Sequence, residues 1–228
     1  MRAVTGLILA IVVAACLAAG AMGYKGYADA RRAAPELKLR AASLKADGRG
    51  VDALGQEKLR ILILVEDPAF EGHRGIDLHS PGAGMTTLTQ SLAKRLGFKA
   101  FRPGIRKIRQ TGYAMGLESR LSKEEILTLW LDTVPMGHGP DGKWVTGFFT
   151  ASDAYFGKPP AELTEAEFIE LVAVPIAPGV LNPIRRGDDY EARVSRIARL
   201  VAGQCEPASF RDVWLEGCAT SEALPVTG

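Results

Sequence analysis

The stretch SKEEILTLWL, residues 122–131, decides the fold because it joins a helix start signal to an apolar run. Ser122 and Glu125 have the spacing of a capping box, in which each side chain satisfies an amide that the first helical turn leaves free. The mostly apolar residues 126–131 that follow predict the body of the same helix.

Two further capping boxes, TLTQ at 87–90 and TEAE at 164–167, predict helices elsewhere in the chain. Residues 105–120 also carry apolar side chains, interrupted by Gly112 and Gly116. Three helix start signals therefore predict a mainly α domain.

Other segments give weaker signals. The apolar run ILILV at 61–65 is too short for periodicity to distinguish a strand from a buried helix. Proline and glycine predict loops at 135–143 and 175–189. We find no hairpin signal, which again favours a mainly α fold.

The length of 228 residues suits one compact domain with an anchor and a tail. The net charge of +2 is too small to indicate a class of partner. The pattern along the chain divides it into an apolar segment at 1–24, a stalk or helical lead-in at 25–58, a domain at 59–203 and a tail at 204–228.

The apolar segment carries no charge from residue 3 to residue 24, which is long enough for one helix to span a bilayer. Three interpretations stay open: an uncleaved anchor, a cleaved secretory signal, and lipidation at Cys16. Each of them sends the rest of the chain across the membrane.

Two cysteines, Cys205 and Cys218, lie in the tail. In an oxidising compartment they would close a loop that stabilises the fold by about 3 kcal/mol. Two unpaired cysteines are the alternative. No spacing of cysteines and histidines resembles a zinc site.

Glu66 directly follows the apolar run, where partial desolvation raises the pKa of a carboxyl group toward a value useful in acid–base catalysis. Glycosyl transfer needs such a group to take a proton from the attacking sugar hydroxyl. The alternative is a structural carboxylate that caps a helix or pairs with a lysine. His73 is expected to be structural and to brace the loop that carries Glu66.

Residues 94–109 hold seven cations and no acid, the strongest charge asymmetry in the chain. Such a cluster suits a polyanion: a pyrophosphate, a lipid headgroup or a nucleic acid. A solvated helix face is the alternative. The seven residues are Lys94, Arg95, Lys99, Arg102, Arg106, Lys107 and Arg109.

Five ordered segments resemble the motifs of the family 51 glycosyltransferases, the peptidoglycan polymerases that occur alone or in class A penicillin-binding proteins. The resemblance covers residues 60–203, and five motifs in order are far more specific than any one of them. The segments are EDPAFEGHRG at 66–75, GMTTLTQS at 84–91, RKIRQ at 106–110, SKEEILTLWLD at 122–132, and AYFGK at 154–158 with Asn182-Pro183.

The resemblance implies a lysozyme-like helical head and a smaller, membrane-associated jaw, preceded by a transmembrane helix. Glu66 would be the general base that deprotonates the 4-hydroxyl of the acceptor lipid II. That oxygen would attack the growing glycan chain and displace undecaprenyl pyrophosphate. The implied location is the cytoplasmic membrane, single-pass, with the catalytic domain on the extracytoplasmic side.

The resemblance also implies cofactors, partners and further site residues. A divalent cation such as Mg²⁺ assists some family members, and Gln110 occupies the position of the family's second catalytic acid. The implied partners are lipid II, the glycan chain, membrane lipids and cell-wall synthesis proteins, with no nucleic acid. The implied substrate-binding residues are Asp67, His73, Thr86, Thr87, Gln90, Lys94, Arg102, Arg106, Lys107 and Arg109.

The sequence departs from the family pattern at four positions: Gln110 replaces a glutamate, Ser91 a glutamine, Thr86 a serine and Asp132 an asparagine. Gln110 and Ser91 keep open a degraded paralogue that binds lipid II or a cell-wall partner without polymerising. A lysozyme-type enzyme that cleaves glycan also stays open.

Overall fold

A computed structural model describes residues 2–98 and 104–219, with side chains from residue 4 onward. Within these residues, eight α-helices and one two-stranded sheet confirm the mainly α class. The α-helices are α1 Arg2–Ala46, α2 Gln56–Glu66, α3 Leu88–Gly97, α4 Arg106–Glu118, α5 Lys123–Thr133, α6 Phe148–Phe156, α7 Glu165–Val172 and α8 Asp188–Val201. The strands are β1 Pro135–His138 and β2 Trp144–Thr146, and 3-10 helices cover Val51–Leu54, Pro160–Glu162 and Glu216–Cys218.

The three predicted capping residues each begin a helix. Ser122 and Thr164 complete their capping boxes at α5 and α7. At α3, the Thr87 hydroxyl accepts a hydrogen bond from the Gln90 amide at 3.1 Å. The Gln90 side chain instead bonds the Thr111 hydroxyl at 3.2 Å, so this box is half formed. The helix starts are nevertheless where local capping chemistry predicts them.

The core is centred on α5, in which every residue from Ile126 to Leu131 is buried. Phe148 of α6 and Phe168 of α7 pack edge to face, with ring centroids 5.6 Å apart. The ambiguous run at 61–65 is helical and lies inside α2. Its helical form matters for the site, because it makes Glu66 the last residue of a core helix.

α1 is one helix that continues through the predicted boundary between residues 24 and 25. Its large apolar side chains from Val4 to Leu17 are exposed. Within the described residues, it is the one helix long and apolar enough to cross a membrane, judged by length and composition. Further along, heptad-spaced residues pack on the domain, so the predicted lead-in contributes to the core: Ala30, Ala34, Leu37, Ala41 and Leu44.

Glycines bring α1 and α4 into backbone contact. A Cβ added at Gly112 would lie 1.9 Å from the carbonyl oxygen of Gly23, and one at Gly26 would lie 2.1 Å from that of Arg109. α4 is one continuous helix through Gly112 and Gly116, the two glycines that interrupt its apolar side chains in the sequence. These glycines serve close helix packing, as small residues do where two helices cross tightly.

Residues 135–146 contain a β-hairpin, although proline and glycine in the sequence predict a loop at 135–143 and no hairpin. β1 and β2 pair antiparallel, with His138 opposite Trp144. The connection contains Asp141-Gly142, in which Gly142 has φ +76°. The expectation is wrong because Asp-Gly is itself a hairpin turn signal.

The tail folds back on the domain from residue 204 to residue 219. Cys205 and Cys218 form a disulfide, with their Cα atoms 5.2 Å apart. Cys218 is buried, whereas Cys16 on α1 is an exposed free thiol. The predicted boundary at residue 203 therefore separates two segments that pack against each other.

Candidate active site

A cleft of about 320 Å³ opens beside the C-terminus of α2. Glu66 lines it together with Thr86 and Thr87, two of the predicted binding residues, and with Ser91. The remaining lining is mostly apolar or glycine, from five separate parts of the chain: Val65, Gly82, Ala83, Met85, Leu88, Pro175, Ile176, Arg193 and Val213. A carboxyl group set in such a wall is partly desolvated.

Glu66 has the protonation behaviour expected of an acid–base group. Burial raises its pKa from the ordinary value of 4.5 to about 7. Arg193 lowers the pKa, neighbouring Asp67 raises it, and Arg95 lowers it by a smaller amount. A carboxyl group with a pKa near 7 exchanges protons readily at neutral pH, which is the property general acid–base catalysis needs.

Asp67 and His73 lie behind Glu66 and do not line the cleft. The fully buried Asp67 carboxylate accepts hydrogen bonds from His73 Nε2 at 3.0 Å and from the Leu88 amide at 2.9 Å. The Gly75 amide donates to His73 Nδ1 at 3.0 Å, which places the proton on Nε2. This network joins the end of α2 to the start of α3, so we assign both residues a bracing role and not the substrate contact that the motif implies.

Lys107 lies at the rim of the cleft. Lys107 Nζ donates to the Thr86 hydroxyl at 2.9 Å and to the Met85 carbonyl oxygen at 3.0 Å. Burial, and secondarily Lys94, lower the pKa of Lys107. Lys94 and Arg106 are exposed. An anion bound at this rim would form a charge-assisted hydrogen bond with Lys107, whose ammonium group the protein already positions beside the cleft.

Two other predicted phosphate ligands do not join this group. The Arg109 guanidinium pairs with Asp29 of α1 at 2.8 Å and lies 5.2 Å from the ring centroid of Phe98. Because its charge is already neutralised at the α1 interface, we leave Arg109 out of the proposed site. Arg102 lies outside the described residues, so its role stays a prediction.

Gln110 is buried behind α3 and does not line the cleft. Its Nε2 donates to the Gln90 carbonyl oxygen at 2.7 Å, and its Oε1 finds no hydrogen-bond partner among the described residues. Asp132, the other charge-changing departure, pairs with Arg40 and with Arg49, the latter at 2.9 Å. Neither residue therefore contacts the cleft of Glu66, and the predicted catalytic role of Gln110 gains no support from its placement.

Two arginines beside Glu66, the buried Arg193 and the partly buried Arg95, were not predicted as partners of this residue. Arg193 of α8 lines the cleft and is 2 % exposed. Arg95 of α3 donates to the Ser91 hydroxyl at 2.7 Å and to the Thr133 hydroxyl at 3.1 Å. Burial lowers the pKa of each arginine to about 10, and Glu66 opposes that change. In the sequence, Arg95 belongs only to the predicted polyanion cluster. Nothing in the sequence marks Arg193, because arginines on a polar helix are usually solvated.

Comparison with known proteins agrees with the motifs. A family model described as Transglycosylase matches residues 45–202. Penicillin-binding protein 1F of Bacillus subtilis is 31% identical over 179 residues, which covers 72% of this chain and 24% of the relative. Penicillin-binding protein 1A of Escherichia coli is 31% identical over 156 residues, with coverages of 63% and 18%. Penicillin-binding protein 1C of the same organism is 34% identical over 167 residues, with coverages of 68% and 21%.

This chain spans 24% or less of the length of these relatives. The family match, by contrast, extends from the end of α1 to the end of α8 and includes every motif segment. The chain therefore belongs to the transglycosylase family, the family 51 glycosyltransferases that its motifs resemble.

Proposed function

We propose that this chain is a peptidoglycan glycosyltransferase that polymerises lipid II into glycan strands and releases undecaprenyl pyrophosphate. One observation carries the proposal. Glu66, the one carboxyl side chain among the described residues of the cleft wall, has a pKa near 7. The family match and the five motifs supply the reaction class in which a base of this kind is needed.

In the proposed reaction, ionised Glu66 accepts the proton of the acceptor's 4-hydroxyl group. The freed oxygen forms a bond to the anomeric carbon of the donor, whose bond to the pyrophosphate oxygen breaks. Arg193 and Arg95 favour the ionised form of Glu66, because each places a positive charge near the carboxylate. Without them, burial would hold more of Glu66 in the protonated form, which cannot act as a base.

The leaving pyrophosphate develops negative charge that must be balanced. Lys107 is the best-placed cation, because its hydrogen bond to Thr86 ties it to a residue of the cleft wall. Lys94 and Arg106 are further candidates by motif position. Ser91 lines the same wall, and its hydroxyl group, which accepts a hydrogen bond from Arg95, can donate one to the sugar. The Thr87 hydroxyl donates to the Gly75 carbonyl oxygen at 3.0 Å and accepts from the Gln90 amide, so Thr87 shapes the wall and is not proposed as a sugar ligand.

A divalent cation is a separate expectation, and the described residues offer few side chains that could bind one. No group of three or more His, Cys, Asp or Glu side chains that could hold a metal occurs within them. The Asp67 carboxylate is committed to His73 and Leu88, and Gln110 is neutral. We therefore derive no step through a cation, and the response of activity to Mg²⁺ and to a chelator tests that expectation directly.

The exposed apolar part of α1 fits a membrane location, which suits a lipid-linked substrate. We propose that α1 anchors the chain in the cytoplasmic membrane and that the cleft faces the extracytoplasmic side. Membrane lipids and cell-wall synthesis proteins are the proposed partners. The disulfide between Cys205 and Cys218 supports this side of the membrane, because such bonds persist in oxidising compartments.

A second candidate function rests on Gln110. If the family's second carboxylate is required for turnover, this chain binds lipid II or a cell-wall partner without polymerising it. The neutral Gln110 side chain is the observation that favours this alternative.

The test is polymerisation of labelled lipid II by the full chain in detergent. Glu66→Gln removes the proposed base, and Glu57→Gln, an exposed glutamate of the same helix, is the matched control. We expect glycan strands from the wild type and from Glu57→Gln, and at least about a hundredfold slower synthesis by Glu66→Gln.

The other outcomes separate the alternatives. Unchanged synthesis by Glu66→Gln would contradict the proposed mechanism. Retained lipid II binding without any product in the wild type would support the degraded paralogue. Shortening of preformed glycan would indicate a lysozyme-type enzyme.

A further inference from the structure

A disulfide-closed loop, residues 205–218, forms part of the cleft although it lies beyond the residues 45–202 that match the family model. The loop pairs with the segment that carries the cleft's glycines. The Gly82 amide donates to the Ser209 carbonyl oxygen at 3.0 Å, and the Gly84 amide donates to that of Phe210 at 2.9 Å. Two backbone hydrogen bonds thus join the loop to one wall of the cleft.

The loop is rigidly organised by a buried carboxylate. Asp212 is 8 % exposed and accepts hydrogen bonds from three backbone amides, which belong to Ala208 at 2.8 Å, Glu216 at 2.6 Å and Gly217 at 2.9 Å. Leu215 is buried and has φ +57°, a strained value for a leucine. Such a backbone persists only where the surroundings fix it, so the loop has one defined shape.

The loop also reaches the neighbourhood of Glu66. Val213 lines the cleft, and a Cβ added at Gly84 would lie 2.4 Å from Val213 Cγ1. The Val213 carbonyl oxygen accepts a hydrogen bond from Arg193 Nη1 at 2.8 Å. Arg193 is the cation with the largest effect on Glu66. The loop therefore fixes the position of one wall of the cleft. It also fixes the orientation of the Arg193 guanidinium, the positive charge beside the proposed base.

We infer that the disulfide-closed loop 205–218 is a positioning segment of the active site, which fixes the Gly82–Gly84 wall and the Arg193 guanidinium around Glu66. The inference rests on the proposed function for its catalytic consequence. Its structural part, that the loop fixes the position of the cleft wall, does not depend on that function.

The decisive variant is the double substitution Cys205→Ser with Cys218→Ser. It opens the loop without substituting any residue of the cleft wall. Cys16→Ser, at the exposed thiol of α1, is the matched control for loss of a cysteine. Each full-length protein is assayed for lipid II polymerisation across pH, and amide hydrogen exchange is measured at Gly82 and Gly84.

We expect kcat/KM of the double variant to fall by at least about tenfold, because displacements of about 1 Å at a reacting centre have effects of this size or larger. The acid limb of its kcat/KM profile should move to higher pH. A less well positioned Arg193 stabilises the ionised form of Glu66 less, so the pKa of Glu66 rises. Exchange at Gly82 and Gly84 should accelerate, whereas Cys16→Ser should match the wild type in all three measurements. A general loss of stability alone would not move the acid limb.

A second variant, Val213→Ala, covers the case in which the double variant fails to fold. It keeps the disulfide and the carbonyl oxygen that binds Arg193, but removes two methyl groups from the cleft wall. We expect a raised KM, an unchanged acid limb and an unchanged kcat. A wild-type KM for Val213→Ala would overturn the role of the loop as a cleft wall.

The inference and the proposed function fail in different ways. If the wild type polymerises lipid II and the opened loop changes neither rate nor acid limb, the inference is overturned and the function stands. If the wild type makes no product, the function fails, and hydrogen exchange decides the inference. Unchanged exchange at Gly82 and Gly84 then overturns it, and accelerated exchange supports the hold of the loop on the wall.

Discussion

Replacement of Glu66 by glutamine should stabilise the protein while it slows polymerisation by at least about a hundredfold. The folded protein holds the pKa of Glu66 at about 7, against an ordinary value of 4.5. The native state therefore binds more protons than the unfolded state between these values, and its stability falls as pH rises through this range. The shift corresponds to about 3 kcal/mol, which is an upper limit because the cleft admits water. A glutamine side chain does not titrate, so the Glu66→Gln variant escapes the whole effect above pH 7.

The measurement is thermal unfolding of full-length protein in detergent at pH 4 and pH 8. At pH 8 we expect Glu66→Gln to unfold at a higher temperature by up to about 6 to 12 °C, since 1 kcal/mol moves the Tm of a domain of this size by about 2 to 4 °C. At pH 4 the difference should approach zero, because Glu66 is protonated in both states. Glu57→Gln, on the exposed side of the same helix, should stay within about 0.5 kcal/mol of the wild type at both pH values.

Two results would refute this reasoning. One is a wild type more stable than Glu66→Gln at pH 8, which would mean that the carboxylate is satisfied and not strained by burial. The other is a difference independent of pH, which would point to packing and not to titration. The activity of the wild type offers a third check, because a base with this pKa gives an acid limb in kcat/KM near pH 7.

Three further predictions concern residues around the cleft and the α1 interface. Lys107→Met should raise KM for lipid II at least about tenfold with little change in Tm, in steady-state kinetics, because it removes the cation tied to Thr86. Thr87→Ala should lower the free energy of unfolding by about 1 to 2 kcal/mol in urea titrations, because Thr87 caps α3; an unchanged midpoint would contradict this. Gly112→Val should lower the Tm by displacing α1 from α4, whereas Gly20→Val, which meets no neighbouring atom, should not.

Local chemistry explains which features the sequence could predict. The caps at Thr87, Ser122 and Thr164 depend on residues three positions apart, so the sequence alone is sufficient to predict these helix starts. The sequence also indicates Glu66, because an apolar run precedes it directly. The five motifs together add the lysozyme-like fold and the reaction class, which no single residue indicates.

The features that escaped prediction depend on contacts between distant segments. Arg193 becomes a neighbour of Glu66 only when α8 packs beside α2, which lies far earlier in the chain. The role of Gly112 requires the position of Gly23 on another helix. The hairpin differs, because the Asp141-Gly142 pair signals it locally. Only the last of these three was available from the sequence.

Gln110 poses the sharpest question about this chain, because the family has a carboxylate at its position. The substitution Gln110→Glu restores that carboxylate, but the structure predicts a loss and not a gain. Gln110 Nε2 donates to the Gln90 carbonyl oxygen at 2.7 Å in a buried setting. A glutamate would place a carboxylate oxygen, an acceptor, against the Gln90 carbonyl oxygen, also an acceptor. The loss of this buried hydrogen bond costs about 1 to 3 kcal/mol of stability. We therefore expect a lower Tm and no increase in polymerisation rate.

The same substitution at Gln204, which is exposed, controls for the added charge. If Gln110→Glu lowers the Tm while Gln204→Glu does not, the local packing of this chain has adapted to a neutral amide, and the amide is part of the α3–α4 interface. If Gln110→Glu instead raises the polymerisation rate at an unchanged Tm, the missing carboxylate limits turnover. That result would show that the buried position communicates with the substrate, and it would favour the degraded paralogue over an active polymerase built around Glu66 and its two arginines.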